Sequence, residues 1–176
     1  MAQEIDPLGP AFTSWLTEVY LGAGRFDEAL VENEKALELS PGWARARADR
    51  GWALVGKGRF EEAFVEYQAA SENSPRWKTH YGRALIKAGQ LAEAGLVLDE
   101  VMAVRAEVPA PPLASFQALY GDLDGAMESL EYGYESRSAL MPWIGSWYDF
   151  GDLVDDPRFQ DLLNRMNLEL IAKPVG

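Results

Sequence analysis

The 176-residue chain has no cysteine and a single histidine, His80. The missing cysteine excludes disulfides, thiol catalysis and cysteine-ligated metal, and it fits a reducing cytoplasm. A Ser–His–Asp arrangement would have to be built on His80, for which the sequence offers no nucleophile and no orienting acid. Charges interrupt the apolar stretches every few residues, so no segment spans a membrane. The N-terminus, MAQEIDPLGP, has no basic segment leading into an apolar run, and no secretion signal is read there. Basic residues are scarce: 16 Lys and Arg stand against 28 Asp and Glu, a formal charge of −12. Such a balance argues against nucleic acid and anionic membrane as partners, because phosphate binding needs clustered Lys and Arg. The glycines mark turns, and none opens a phosphate loop with its lysine. Asp155 and Asp156 read as a helix cap rather than an acid–base pair. Neither catalysis, nor a cofactor, nor a metal site is expected.

What is present is apolar enough, at 48% hydrophobic residues, to build a core. The acidic charge is uneven, with ten acidic and two basic residues (Arg137 and Arg158) between Gly121 and Leu162. That stretch is either a solubilising surface or an acidic face that steers a basic partner.

The chain repeats itself. GRFDEA at Gly24–Ala29, GRFEEA at Gly58–Ala63, GQLAEA at Gly89–Ala94 and GDLDGA at Gly121–Ala126 line up, with glycines 34, 31 and 32 residues apart. Pro7, Pro41 and Pro75 run in phase with them, as do Ala2, Ala36 and Ala70. A glycine at positive φ ends one helix, the apolar residue packs under the turn, and the small alanine lets the next helix lie close. Proline then opens the following helix, where its missing N–H costs nothing. Apolar residues recur at three and four between these signals. Helices are predicted near 10–22, 26–39, 42–56, 60–73, 76–88, 91–105, 111–120 and 123–136, with no strand.

These landmarks resemble the tetratricopeptide repeat. The second unit carries Gly51, Leu54, Gly58, Phe60, Ala63, Tyr67, Ala70 and Pro75. The first carries Leu16, Tyr20, Gly24, Phe26, Ala29, Ala36 and Pro41. The third has Tyr81, Gly82, Leu85, Gly89, Leu91 and Ala94, and the degenerate fourth has Leu113, Ala114, Gly121, Leu123, Ala126 and Leu130. The resemblance implies an all-α fold, a right-handed α-α superhelix or solenoid of about four helix pairs with a C-terminal capping helix. Its units fall at about 10–43, 44–74, 75–106 and 107–136, after the end of a preceding repeat at 1–9 and before an aromatic loop and capping helix at 137–176. The third unit is three residues short, so an irregularity is expected there. The segment Leu119–Leu168 also resembles the C-terminal ends of large bacterial tetratricopeptide proteins, which implies a bacterial regulatory context.

The two ends read differently. Ala2, Ile5 and Pro7 repeat the spacing that closes a second helix, so the chain is expected to continue a longer array, with an uncapped front edge open to self-association. DDPRFQDLLNRMNL at Asp155–Leu168 has an acidic N-cap, a first-turn proline and one apolar face, and is read as a closing helix. Before it, Trp143, Trp147, Tyr148 and Phe150 either pack against the last repeat or line an aromatic ligand pocket.

In the family that the repeats resemble, the first helices line a concave groove. Residues spaced by four and three share a helix face. That assigns Ala11, Trp15 and Glu18, then Arg45, Asp49 and Trp52, then Arg76, His80 and Arg83 to the groove, with Val108, Pro112 and Ser115 in the fourth unit. Arginine beside tryptophan is common at the energetic centre of interfaces, and arginine pairs bidentately with carboxylates. The groove arginines either meet a partner or neutralise acids on adjacent helices. The expected partner is a protein or peptide, extended or helical, with acidic and aromatic groups. The Lys/Asn clamp of the chaperone-tail binders is not met at Ser14, Glu18, Ala48, Arg76 and His80, so that ligand is not expected. The alternative to such a binding scaffold is a structural or self-associating segment of a larger bacterial signalling protein.

Overall fold

A computed structural model of the chain describes residues 10–72, 74–146 and 148–171, with the side chains of residues 10–12 excepted. Eight α-helices form four antiparallel pairs: α1 (Pro10–Gly22) with α2 (Phe26–Leu39), α3 (Ala44–Gly56) with α4 (Phe60–Ser71), α5 (Lys78–Lys87) with α6 (Leu91–Ala103), and α7 (Ala110–Tyr120) with α8 (Leu123–Glu135). A closing helix, α9 (Pro157–Arg165), follows two 3-10 turns. No strand occurs among the described residues. The fold is the all-α, stacked-pair solenoid type with a capping helix. Its contacts divide it into two compact units, Met1–Trp77 and Lys78–Gly176. In unit 1 the two pairs stack through α2 on α3 and α1 on α3; in unit 2 they stack through α7 on α5 and α6.

The repeated glycines do what the spacing requires. Gly24, Gly58, Gly89 and Gly121 have φ of +69, +71, +78 and +103°. After each, the next residue's N–H returns to a carbonyl five residues back, at 2.9 Å in every case: Arg25 to Tyr20, Arg59 to Leu54, Gln90 to Leu85, and Asp122 to Gln117. This is the helix-ending bond pattern that a left-handed residue permits, and it satisfies carbonyls the helix leaves open. The arginine after the glycine pairs with the glutamate three residues on, Arg25 with Glu28 and Arg59 with Glu62. In the fourth pair Asp122 instead caps α8, accepting the Gly125 N–H at 2.9 Å. The alanines at the helix crossings, Ala29, Ala63, Ala94 and Ala126, are fully buried.

Helix ends differ from the sequence expectation by one or two residues at most points. The largest departures have local causes. The start expected at 42 falls at Ala44, because Pro41 and Gly42 form a turn. The start expected at 76 becomes a 3-10 turn, Pro75–Trp77, before α5. The end expected at 105 gives way after Ala103 to a second such turn, Arg105–Glu107. The closing helix begins as read, with the Asp156 carboxylate accepting the Arg158 N–H at 2.8 Å and Pro157 in the first turn. The reading of 1–9 as the end of a preceding repeat lies outside the described residues.

Helix α7 is buried on every side, from Ala110 to Ala118. Its Phe116 lies against Gly82 of α5, where an added Cβ would fall inside the ring. Gly82→Ala should therefore destabilise the chain by about 1–3 kcal/mol through overpacking, although alanine is the better helix former. Urea denaturation checks this, and a stabilised variant would contradict it.

Candidate functional site

The candidate face of unit 1 is built by α1 and α3. Its centre is a polar cluster that ties the two helices together. The Asp49 carboxylate, 5% exposed, accepts the Ser14 hydroxyl at 3.1 Å and the Arg45 Nε at 3.2 Å. The Arg45 Nη2 donates to Glu18 on α1. One guanidinium thus bridges two carboxylates on neighbouring helices, while its Nη1 donors stay uncommitted among the described residues. Burial pushes the Asp49 carboxyl up from its ordinary value to about 7, and Glu18 adds to the push. Arg45 and the Ser14 hydroxyl oppose it without cancelling it. Buried charge is costly in this way unless fully compensated.

Two indoles stand on this face. Trp15 follows Ser14 and is 61% exposed; Trp52 lies one turn beyond Asp49 and is 39% exposed. The Trp77 ring, buried, takes the Arg76 guanidinium at 4.7 Å and the Arg45 guanidinium at 6.0 Å. Both are cation–π distances. Sequence reasoning passed over Ser14 as a site residue and Trp77 altogether, although each adjoins a predicted one. The other arginines of α3 serve the fold: Arg47 pairs with Glu66 at 3.0 Å, and Arg50 with Glu34 at 2.9 Å, linking α3 to α4 and α2.

The predicted residues are distributed over both units. Trp15, Glu18, Arg45, Asp49, Trp52 and Arg76 belong to unit 1. His80 and Arg83 sit half-buried on α5 of unit 2, where the His80 Nδ1 lies 3.2 Å from the Thr79 hydroxyl. Of the two roles open to the arginines, Arg45 fills the neutralising one and keeps a third of its side chain exposed.

In the fourth pair the α7 positions equivalent to this face are closed. Pro112 and Ser115 are buried, and the Ser115 hydroxyl donates to the Asp149 carbonyl, so the chain's own segment after α8 covers α7 there. Phe150, Leu153 and Phe159 join Leu130, Ile144, Leu162 and Leu163 in the core of unit 2. The Phe150 and Phe159 rings are 5.1 Å apart, so these two aromatics serve packing. Trp143 remains 45% exposed.

The acidic stretch borders an open cleft of about 540 Å³ between α8 and α9, lined by Asp124, Met127, Glu128, Glu131, Arg158 and Asp161. Its carboxylates are held internally: Asp124 by Arg158, Glu131 and Asp161 by Arg165, and Glu128 by Arg105 at 3.5 Å. Among the described residues no three His, Asp or Glu side chains are grouped to hold a metal, and no helix is long and apolar enough to cross a membrane.

Residues 10–32, which span α1 and the first half of α2, match the family model of the tetratricopeptide repeat. Among solved structures, the chain resembles TTC0263, a thermophilic tetratricopeptide repeat protein of Thermus thermophilus, at 21% identity and a TM-score of 0.60, covering 90% of this chain and 84% of that one. A second, YrrB, described as a tetratricopeptide repeat protein with an unusual peptide-binding site, aligns at 17% identity and a TM-score of 0.48, covering 93% and 94%. The first supports the fold. No curated protein matches the sequence.

Proposed function

We propose that this chain is a non-catalytic binding module that takes a protein or peptide partner on the α1–α3 face of unit 1. Arrays of paired helices present extended surfaces of this kind. The observation that carries the reading is two exposed indoles beside a polar cluster already held in place by bonds between the helices. Exposed tryptophan gives large contact area with little side-chain freedom to lose, and arginine offers further donors, so such residues tend to supply most of an interface's energy. A pre-assembled cluster also lowers the ordering cost on binding. An extended or helical segment with acidic and aromatic groups fits this face, and a reducing compartment such as the cytoplasm fits the cysteine-free chain.

The test is a peptide-display selection on the whole chain. Selected peptides should lose at least about tenfold in affinity against a Trp15→Ala/Trp52→Ala variant of unchanged helical content, since truncating one such residue typically costs about 2 kcal/mol. Equal binding by both proteins would refute this face. A second reading, attachment to another copy or to a larger parent protein, draws on Val31 and Val65. They occupy the same repeat position on α2 and α4 and are 61% and 64% exposed. Sedimentation of the wild type against a Val31→Lys/Val65→Lys variant separates it from the first.

A further inference from the structure

We propose that the outward side of α1 is a contact surface for a second copy of this chain, in which Trp15, Val19 and Gly22 meet their own equivalents across a two-fold axis. This goes beyond the partner reading of the α1–α3 face, with which it shares Trp15 alone.

The repeat register identifies that side of the helix. Trp15, Val19 and Gly22 stand nine, five and two residues before their turn glycine, as Asp49, Ala53 and Gly56 do on α3, and Phe116 of α7 holds the place of Val19. On α3 and α7 these residues meet the preceding helix pair. Asp49 accepts from Ser14 of α1. Ala53, fully buried, joins Leu21 and Ala29, and a Cβ added to Gly56 would strike the Phe26 ring of α2. Phe116, also fully buried, lies against Gly82 of α5. On α1 the same positions face solvent. Trp15 is exposed, Val19 is 46% exposed, and among the described residues a Cβ on Gly22 would meet nothing within 4 Å.

Charge decides what fits there. The α3 helix meets the first pair through Arg45, Arg50 and Lys57, bonded to Glu18, Glu34 and Asp27. The equivalent residues of α1 are Ala11, Leu16 and Ala23. An acidic helix such as α2, stacked on α1, would bury carboxylates with no cation to meet them, which is costly. The fitting surface is uncharged, and α1 itself is one: Glu18 is its only charged residue and is held by Arg45. Two copies with a formal charge of −12 each meet with least repulsion through such a face. Antiparallel α1 helices place the Trp15 indole of one copy over Gly22 of the other, as the Phe26 ring lies over Gly56, with Val19 near the axis. A contact of this kind is isologous and stops at two copies. One helix face is smaller than the roughly 800 Å² per partner of a standard interface, so the dimer is weak and concentration-dependent. Because it covers Trp15, a bound copy and a bound partner exclude each other.

Sedimentation velocity of the whole chain from about 1 μM to about 1 mM, the range of weak affinities, is the test. The wild type should pass from monomer to dimer. Val19→Lys sets like charges together at the axis and should weaken the dimer at least about tenfold. Trp52→Ala, which alters only the partner face, should leave it unchanged. The chain has no cysteine, so Val19→Cys and Val65→Cys each carry a single thiol. A short bis-maleimide should link Val19→Cys into dimers and leave Val65→Cys monomeric. Monomer over the whole range, a dimer indifferent to Val19→Lys, or crosslinking at position 65 in place of 19 would overturn the inference. Peptide binding that depends on Trp52 is read independently of these outcomes, so the two readings fail separately.

Discussion

Replacing Phe159 with alanine is expected to strip unit 2 of about 3–5 kcal/mol, a large part of what holds a domain of this size together. Phe159 is fully buried on α9, in van der Waals reach of Phe150 and within the cluster that includes Leu130, Ile144 and Leu162. The lost transfer energy of the ring is joined by a cavity term, because neighbours fixed on α8 and on the preceding 3-10 turn relax only in part. The consequence reaches α7, since the segment from Asp149 to Leu153 that covers it is held from behind by Phe159. Hydrogen exchange should report it: the α7 amides, slow in the wild type, should exchange some hundredfold faster or more in Phe159→Ala. Unchanged α7 protection would mean that the closing helix only decorates the array.

The second large effect is a pH dependence centred on Asp49. With its folded value at about 7 against an ordinary 3.8, the folded chain holds a proton there that the unfolded chain has released. Between about pH 4 and 7 this makes stability fall as pH rises, and above 7 the loss is complete. A displacement of roughly three units corresponds to no more than about 4 kcal/mol. Exposed carboxylates whose values are lowered by arginine partners, such as Glu28, Glu62 and Asp156, act in the opposite sense, weakening the fold as pH falls through their own range. Stability should therefore peak on the acid side of neutrality. Asp49→Asn keeps an acceptor for Ser14 and leaves Arg45 its bond to Glu18. It should raise stability at pH 8 by about 1–3 kcal/mol and flatten the decline between pH 5 and 8. Urea unfolding at pH 5, 6, 7 and 8 checks both. A variant less stable than the wild type at pH 8 would show that the ionised Asp49 is fully compensated where it lies.

The fold was legible because its determinants are local. A glycine at the turn, an apolar residue two places on and an alanine three further specify each hairpin without reference to distant chain, and they recur four times. The closing helix was legible for the same reason, from Asp156, Pro157 and one apolar face. The candidate face could be drawn from spacing, but the environment of its residues could not. Spacing by four and three put Arg45, Asp49 and Trp52 on one side of α3, but it could not say that Asp49 falls into the seam with α1 while Trp52 stands out of it. That difference depends on how closely two helices approach, with Ser14 on one meeting Asp49 on the other. The covering of α7 by residues some 34 positions away was equally hidden from periodicity. A signal was present even so. From Pro109 to Tyr120 the sequence has no charged residue, and a helix without a charged face is a buried helix.

The central claim is that partners meet the α1–α3 face, and the six indoles of the chain make it directly measurable. Each tryptophan gives its own indole N–H signal in a 1H–15N spectrum, assignable by single substitution. On titration with a peptide selected on the whole chain, the account predicts that Trp15 and Trp52 shift most and that Trp143 stays still. Shifts centred on Trp143, with Trp15 and Trp52 unmoved, would contradict it and place the contact in unit 2.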